Sequence, residues 1–333
     1  MSVEIGPIKI IVMGQSLGSG LSRSYDGATT EGVDQLTQHF QDRTEVPVEV
    51  LQASVPATSL LRRYRSRRSW WDETTHKPGR LLLQTTFMYP EADIVLWSQG
   101  ERDAEDAALD IETCEASLKE FFIYLRQTYG CFVICNFIGR RIGGNDHTTQ
   151  SLLLAQRRVV TALDFVFEGA EQYHVDLIDA VHPDNAGFGA IGALSGHAIA
   201  AACLNEANDY PMVTHVEASD NVVVFYLSGA DAWAINGAKV DRPIKMMNLK
   251  GDNQFSVVSQ TIGKLVPSAM FFDPTQNEVY LVFEASLERM AADLRAYVAY
   301  GACSDLDRSR LLTEASVLSR PIRRDSLALD FVH

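Results

Sequence analysis

Three short segments carry residue types able to do acyl-transfer chemistry. The first is Gly14-Gln15-Ser16-Leu17-Gly18, where an apolar run breaks into small residues around one hydroxyl. It matches G-x-S-x-G, the pattern of a sharp strand-to-helix turn that exposes a serine as nucleophile. Taken alone, it equally describes the turn that the first strand of any α/β domain needs. The second is Asp179-Ala180-Val181-His182. A three-residue spacing lets one turn hold a carboxylate against an imidazole, setting its tautomer and stabilising its charged form. The same residues also describe an N-cap aspartate followed by an exposed histidine. The third is Trp97-Ser98-Gln99-Gly100-Glu101-Arg102-Asp103. It puts a side-chain amide and backbone N–H groups where they can face an anionic intermediate, or it is a loop entering a helix capped by Asp103. A phosphate-binding loop fits the glycines less well, because no lysine follows them and G-x-G-x-x-G is absent. His147 is a weaker candidate base with no orienting acid in its setting, and His174 and His197 read as structural.

The elements that must position these segments alternate in type up to about residue 209. Short runs rich in Val, Ile and Leu predict strands at 8–13, 46–53, 93–97, 131–137 and 175–178, the composition of strands covered on both faces. Helices are predicted between them at 31–41, 78–89, 104–128 and 147–168, with a small-residue helix at 187–208. In the third, Leu109, Cys114, Leu118, Phe121, Phe122 and Leu125 recur at close to a 3.6 period. This order predicts a largely parallel α/β sheet. All three chemical segments then follow strand C-termini, where such sheets place their sites. Beyond Asp209-Tyr210-Pro211 the pattern shifts to short strands at 222–227, 232–235, 255–258, 269–272, 279–283 and 294–300, separated by turns such as Asn236-Gly237 and Asp273-Pro274. We therefore expect two domains, 1–209 and a mostly β domain at 210–333.

Composition narrows the partners. The 333 residues carry a formal charge of -14, which argues against nucleic acid, since phosphate binding needs a basic face. No apolar run is expected to reach the roughly 20 residues that span a bilayer, and the short N-terminal run reads as a strand rather than a signal peptide. No membrane partner is expected, and the location is left open between cytoplasmic and exported or virion-associated by another route. The five cysteines include no CxxC pair, so neither a zinc site nor a disulfide framework is indicated. Arg62, Arg63, Arg65, Arg67 and Arg68, with Tyr64, Trp70 and Trp71, form the one strongly basic run. They suit an acidic sugar on an aromatic platform or, equally, a solvated helix with its tryptophans turned inward.

Taken together, the three segments resemble the blocks of the SGNH (GDSL-type) hydrolases, in the branch of sialate O-acetylesterases and related carbohydrate acetylesterases. Gly14-Gln15-Ser16, Trp97-Ser98-Gln99-Gly100-Glu101 and Asp179-Ala180-Val181-His182 follow that branch's G-Q-S, W-x-Q-G-E and D-x-x-H in order, over residues 7–200. The resemblance implies a three-layer α/β/α, flavodoxin-like parallel sheet followed by a C-terminal mostly β domain. It implies Ser16 as nucleophile, His182 as base and Asp179 as its orienting acid. The implied oxyanion hole consists of the Ser16 N–H, the Ala57 N–H and the Gln99 side chain, with no metal and no cofactor. The second block departs from the pattern: Pro56-Ala57-Thr58-Ser59 stands where the family has a Gly-Gly-Thr-Ser-like turn, and proline has no N–H to donate.

The implied activity is that of a carboxylic ester hydrolase, removing O-acetyl groups from a carbohydrate. Gln15, Glu101, Arg63, Trp70 and Arg140 are expected to border the substrate. Two alternatives stand beside this: a carbohydrate-binding or structural protein with a poor oxyanion hole, and a lipase or thioesterase of the same superfamily. The closing run at 294–301 is similar to the last strand of the accessory β domain in sialate O-acetylesterase-like proteins, a domain that can bind carbohydrate, mediate oligomerisation or cover the catalytic domain.

Overall fold

The structure, a computed structural model, describes residues 6–21, 30–61, 68–208, 210–235, 238–246, 254–299, 312–314, 320–324, 326–327 and 329–331. It divides into two compact units, Met1–Asn208 and Asp209–His333.

In the first unit five parallel strands form one sheet: β1 (Ile8–Gly14), β2 (Val48–Gln52), β3 (Ile94–Ser98), β4 (Phe132–Phe137) and β5 (Val166–Glu171). Their spatial order is β2-β1-β3-β4-β5. The helices are α1 (Ser16–Ser19), α2 (Glu31–Thr44), α3 (Arg80–Met88), α4 (Ile111–Tyr129), α5 (Asp146–Ala162) and α6 (Asn185–Leu204). Alternate strand residues point to opposite faces. Ile11, Met13, Val95, Trp97, Val133 and Cys135 join Phe121, Phe122 and Leu125 of α4 and Leu152 and Leu153 of α5 in one buried cluster. On the opposite side, Asn136 of β4 donates to Ser195 of α6 (3.0 Å), and α6 packs against α2. That contact is close: a Cβ on Gly192 would lie 2.0 Å from the Gly32 carbonyl oxygen. The result is a three-layer α/β/α unit.

The strand order reverses direction between β1 and β3, so the crevice beyond their C-termini is the switch point at which doubly wound sheets bind ligands. β1 ends there at Gly14, whose φ is +126°. A Cβ at this position would lie 2.0 Å from the Ser98 carbonyl oxygen, the neighbouring β3 residue in register. Only glycine allows the chain both the angle and the approach, and the next residues then rise from the sheet as α1.

Two expectations need correction. Residues 175–178 are not a strand; the fifth strand is Val166–Glu171, and the helix expected at 147–168 ends at Ala162. The strand's charges hide it from a hydrophobic pattern. Glu171 is fully buried because Arg157 of α5 pairs with it and with Glu168 (3.0 Å), its guanidinium resting 3.6 Å from the centre of the Phe137 ring. The second correction concerns length: α6, at 20 residues, is long and apolar enough to cross a membrane. In this fold it is a core helix, with 72% of its apolar window buried.

The second unit is built mainly of antiparallel sheets. A six-stranded sheet centres on Ala269–Asp273, Glu278–Val282, Val222–Ser228 and Met212–Ser219, and a four-stranded one on Phe255–Ser259 and Leu294–Val298. The first shows the alternation of a sheet with one covered face: Val223, Phe225, Val279, Leu281, Met270 and Phe272 are buried. The turn expected at 236–237 lies outside the described residues.

Gly14→Ala should therefore cost at least about 2 kcal/mol, because it combines left-side backbone strain with a backbone clash. A urea denaturation curve of the purified variant checks this; an unchanged midpoint would refute the close-approach account.

Candidate active site

Ser16 is the first residue of α1, half-buried at the end of β1. Position N1 leaves its N–H without an intrahelical acceptor. Its hydroxyl meets the segment that follows β5. There Asp179 folds an Asx turn: its Oδ1 accepts from the N–H groups of Val181 and His182, both at 2.8 Å. Ile178 N–H donates to the His182 carbonyl (2.8 Å), closing the turn. The other carboxylate oxygen, Oδ2, is 2.7 Å from His182 Nδ1. With the Nδ1 proton donated to Asp179, Nε2 is the acceptor and lies 2.7 Å from Ser16 Oγ. Asp179 and Asp103, which also suited helix caps, do not cap the α-helices that follow them. Asp184 caps α6, accepting from Gly187 N–H (2.7 Å), and Asp110 caps α4, accepting from Thr113 N–H (2.6 Å).

The backbone N–H bonds from Val181 and His182, then the His182 ring, hold the Asp179 carboxyl down at about 2. Because the folded value lies below the ordinary 3.8, this group's contribution to stability is complete above pH 3.8 and is lost as pH falls toward 2. Asp179 thus stays ionised beside the imidazole through the whole mildly acidic and neutral range.

Beneath Ser16 lies a polar cluster with almost no access to water. Gln15, Gln99, Glu101 and Asp103 are each under 5% exposed. Gln15 donates through Nε2 to Glu101 Oε2 (2.7 Å) and accepts at Oε1 from Arg102 N–H (3.2 Å). Glu101 Oε1 accepts from Gly139 N–H (3.0 Å), and the loop beyond Gly139 reaches the histidine segment through Ile142 N–H to the Ala180 carbonyl (2.9 Å). Gln99 Nε2 faces the Thr58 carbonyl and Asp103 Oδ2, both at 2.8 Å, and Gln15 Oε1 at 3.2 Å. An amide nitrogen has two protons, and the two shorter contacts claim them. Desolvation raises the Glu101 carboxyl and takes that of Asp103 from 3.8 to about 6, against the lowering effect of its own hydrogen bonds.

Several residues expected at the substrate are buried in the structure. Gln15 and Glu101 are buried and satisfy each other. Trp70 is fully buried, packs edge-on against Trp97 at 5.7 Å between centroids, and donates to Thr58 Oγ1 (3.2 Å). Arg140 is buried as well. Gln99, expected as an oxyanion donor, spends its N–H groups inward. Arg63 lies outside the described residues. Ala57 is exposed on the loop after β2, in the left-handed conformation at φ +56°. No acceptor for its N–H is found among the described residues. Asp103 was legible only as a possible cap; its four-residue spacing from Gln99, which suits a side-chain pair on one helical turn, was the available signal. Among the described residues no group of three or more His, Cys, Asp or Glu is placed to hold a metal.

No protein-family model matches the chain, and no curated protein matches it. Solved structures do. A carbohydrate acetylesterase from Xanthomonas citri superposes with a TM-score of 0.67 at 12% identity, over 96% of this chain and 80% of that one. An acetyl-xylooligosaccharide esterase from Geobacillus matches 61% of this chain and 96% of its own, with a TM-score of 0.41 and 16% identity. A carbohydrate acetylesterase family member from Sinorhizobium meliloti matches 60% and 99%, with a TM-score of 0.42 and 14% identity. The chain shares its fold with the Xanthomonas citri protein: a parallel-sheet α/β/α unit with antiparallel sheets in its C-terminal region.

Two measurements follow. Glycine has no Cβ penalty in the left-handed region, so Ala57→Gly should stabilise the protein by about 1 kcal/mol while keeping the exposed N–H; thermal denaturation reads the shift. For Asp103 the folded value is raised, so its contribution to stability is greatest below pH 3.8 and falls as pH rises through 3.8 to about 6. The urea midpoint of wild type relative to Asp103→Asn should therefore drop between pH 4 and about pH 6.5 and level off above it; a constant gap would refute the assignment.

Proposed function

We propose that the protein is a serine esterase that removes O-acetyl groups from a carbohydrate. One observation carries this reading: Ser16 Oγ, His182 and Asp179 form an unbroken hydrogen-bonded chain, with 2.7 Å at each link. Such a chain lets a weak nucleophile attack at neutral pH, because the proton has somewhere to go as the bond forms. In this reading Ser16 Oγ adds to the acetyl carbonyl carbon while His182 Nε2 takes its proton. Asp179 stabilises the resulting imidazolium without itself becoming protonated. The negative charge on the former carbonyl oxygen is met by the N–H groups of Ser16 and Ala57. His182 then returns the proton to the departing sugar oxygen, leaving an acetyl ester on Ser16. Water, deprotonated by the same nitrogen, releases acetate and restores the serine. No step calls for a metal or cofactor.

The carbohydrate part of the proposal draws on the fold shared with the Xanthomonas citri carbohydrate acetylesterase. Gln99 motivates a second reading. With its amide protons engaged at 2.8 Å on Thr58 and Asp103, the hole has two donors where the family pattern implies three. Loss of one donor lowers turnover on the order of a hundredfold or more. A protein that binds acetylated glycans and barely hydrolyses them would fit that arrangement.

Ser16→Ala should lower the turnover of 4-nitrophenyl acetate by at least about a thousandfold and leave the melting temperature close to wild type. A variant that retained full activity would refute the nucleophile. A wild type that binds acetylated oligosaccharides but hydrolyses neither them nor the aryl ester would support the second reading. Rates that rise with acyl length across acetyl, butyryl and octanoyl esters would point instead to a lipase or thioesterase.

A further inference from the structure

The proposed chemistry makes no use of Asp103, although this carboxylate sits in the polar cluster under Ser16. Its Oδ1 accepts from Leu60 N–H (2.9 Å) and Leu61 N–H (3.3 Å), and its Oδ2 accepts from Leu60 N–H (3.0 Å) and Gln99 Nε2 (2.8 Å). Leu60 and Leu61 close the loop that carries Ala57. The near end of this loop is tied to β1, by Ala53 N–H to the Val12 carbonyl (3.0 Å) and Val55 N–H to the Gly14 carbonyl (2.9 Å). Between the two ends, Thr58 donates to the Val55 carbonyl (2.8 Å), and its own carbonyl receives the second proton of Gln99. Ala57 thus holds a left-handed conformation, unfavourable for a residue with a Cβ, in a loop pinned on both sides. Such strain persists only where the surroundings over-determine it.

We propose that Asp103 is a positioning residue for the oxyanion loop: by gripping Leu60, Leu61 and Gln99 it keeps Ala57 in the conformation that presents its N–H. The catalytic half of this inference rests on the esterase reading; the loop-holding half does not. A carboxylate suits the task because it accepts at both oxygens and carries no donor of its own. An amide in the same place would turn an N–H toward either Gln99 or the Leu60 and Leu61 N–H groups. Burying a charge is costly where a neutral side chain would serve, so simple loop packing gives no reason for an aspartate here. Gln99, braced between Asp103 and Thr58, carries the grip to the middle of the loop.

The test compares wild type with Asp103→Asn by amide hydrogen exchange over residues 54–61, by kcat and KM on 4-nitrophenyl acetate, and by the fraction of molecules labelled at Ser16 by a fluorophosphonate. The proposal expects Leu60 and Leu61 to exchange at least about tenfold faster with β1, β3 and β4 still protected. It expects kcat per labelled site to fall about 10- to 100-fold with KM within about threefold. Unchanged exchange in the loop would overturn it. So would a lower melting temperature and fewer labelled sites with kcat per site intact, the outcome of a merely structural role. If Asp103→Asn does not fold, Asp103→Ser is read in the same way; if neither folds, Asp103 is a determinant of the whole unit and the positioning role is overturned. A wild type that neither turns over the ester nor reacts with the phosphonate would refute the esterase reading, and the exchange measurement would still decide whether Asp103 holds the loop.

Discussion

A carboxylate removed from water must be met by donors or it takes up a proton, and two carboxylates lie buried beneath the serine of this protein. Glu101 and Asp103 share a segment after β3, and each reaches a different strand end. Glu101 joins the turn after β1, through Gln15, to the loop after β4, through Gly139. Asp103 joins the loop after β2, through Leu60 and Leu61, to Gln99 after β3. Four of the five strand ends are tied by this cluster, and the Ile142 to Ala180 hydrogen bond brings in the segment after β5. Removing one partner from such a network costs more than the net value of any single bond, because the remaining group is left buried and unsatisfied.

The apolar scaffold sets what this cluster can hold. The apolar central strands β1 and β3 anchor the sheet, and the sheet fixes where five C-termini emerge. Gly14 then lets β1 pass within contact of Ser98 and turn, and the short α1 begins on Ser16. Among the described residues of that loop, Ala57 alone has a positive φ. This division, a regular apolar frame with irregular polar loops at one edge, puts Ser16, Asp179 and His182 together beyond the strand ends.

Much of that division was legible in the residues. The blocks of Val, Ile and Leu located four of the five parallel strands, and the order of elements gave the sheet type. The fifth strand was missed because Glu168 and Glu171 break its apolar pattern. Their partner, Arg157, lies on another element, and a pairing made through space leaves no local trace. The spacing of Asp179 and His182 anticipated a turn holding both, since an Asx turn is a local feature. Burial was much less legible. Gln15, Glu101, Trp70 and Arg140 have polar or amphipathic side chains that suit a substrate pocket equally well on paper. Only the three-dimensional arrangement shows that Gln15 and Glu101 complete each other, and that Trp70 stands against Trp97 in the core. Gln99 shows the same limit, since the direction in which an amide donates depends on acceptors 41 residues away in sequence.

The Asx turn at Asp179 has a mechanical consequence. Asp179 and His182 belong to one hydrogen-bonded four-residue turn, so a displacement of the segment after β5 would carry both together and leave their mutual alignment intact. The single joint in the chain is then the contact between His182 and Ser16, which spans 166 residues of sequence. The geometry of the assembly is therefore set by one coordinate, the distance across that joint. An imidazole displaced from the serine would keep its tautomer and its counter-charge, because both are set within the turn.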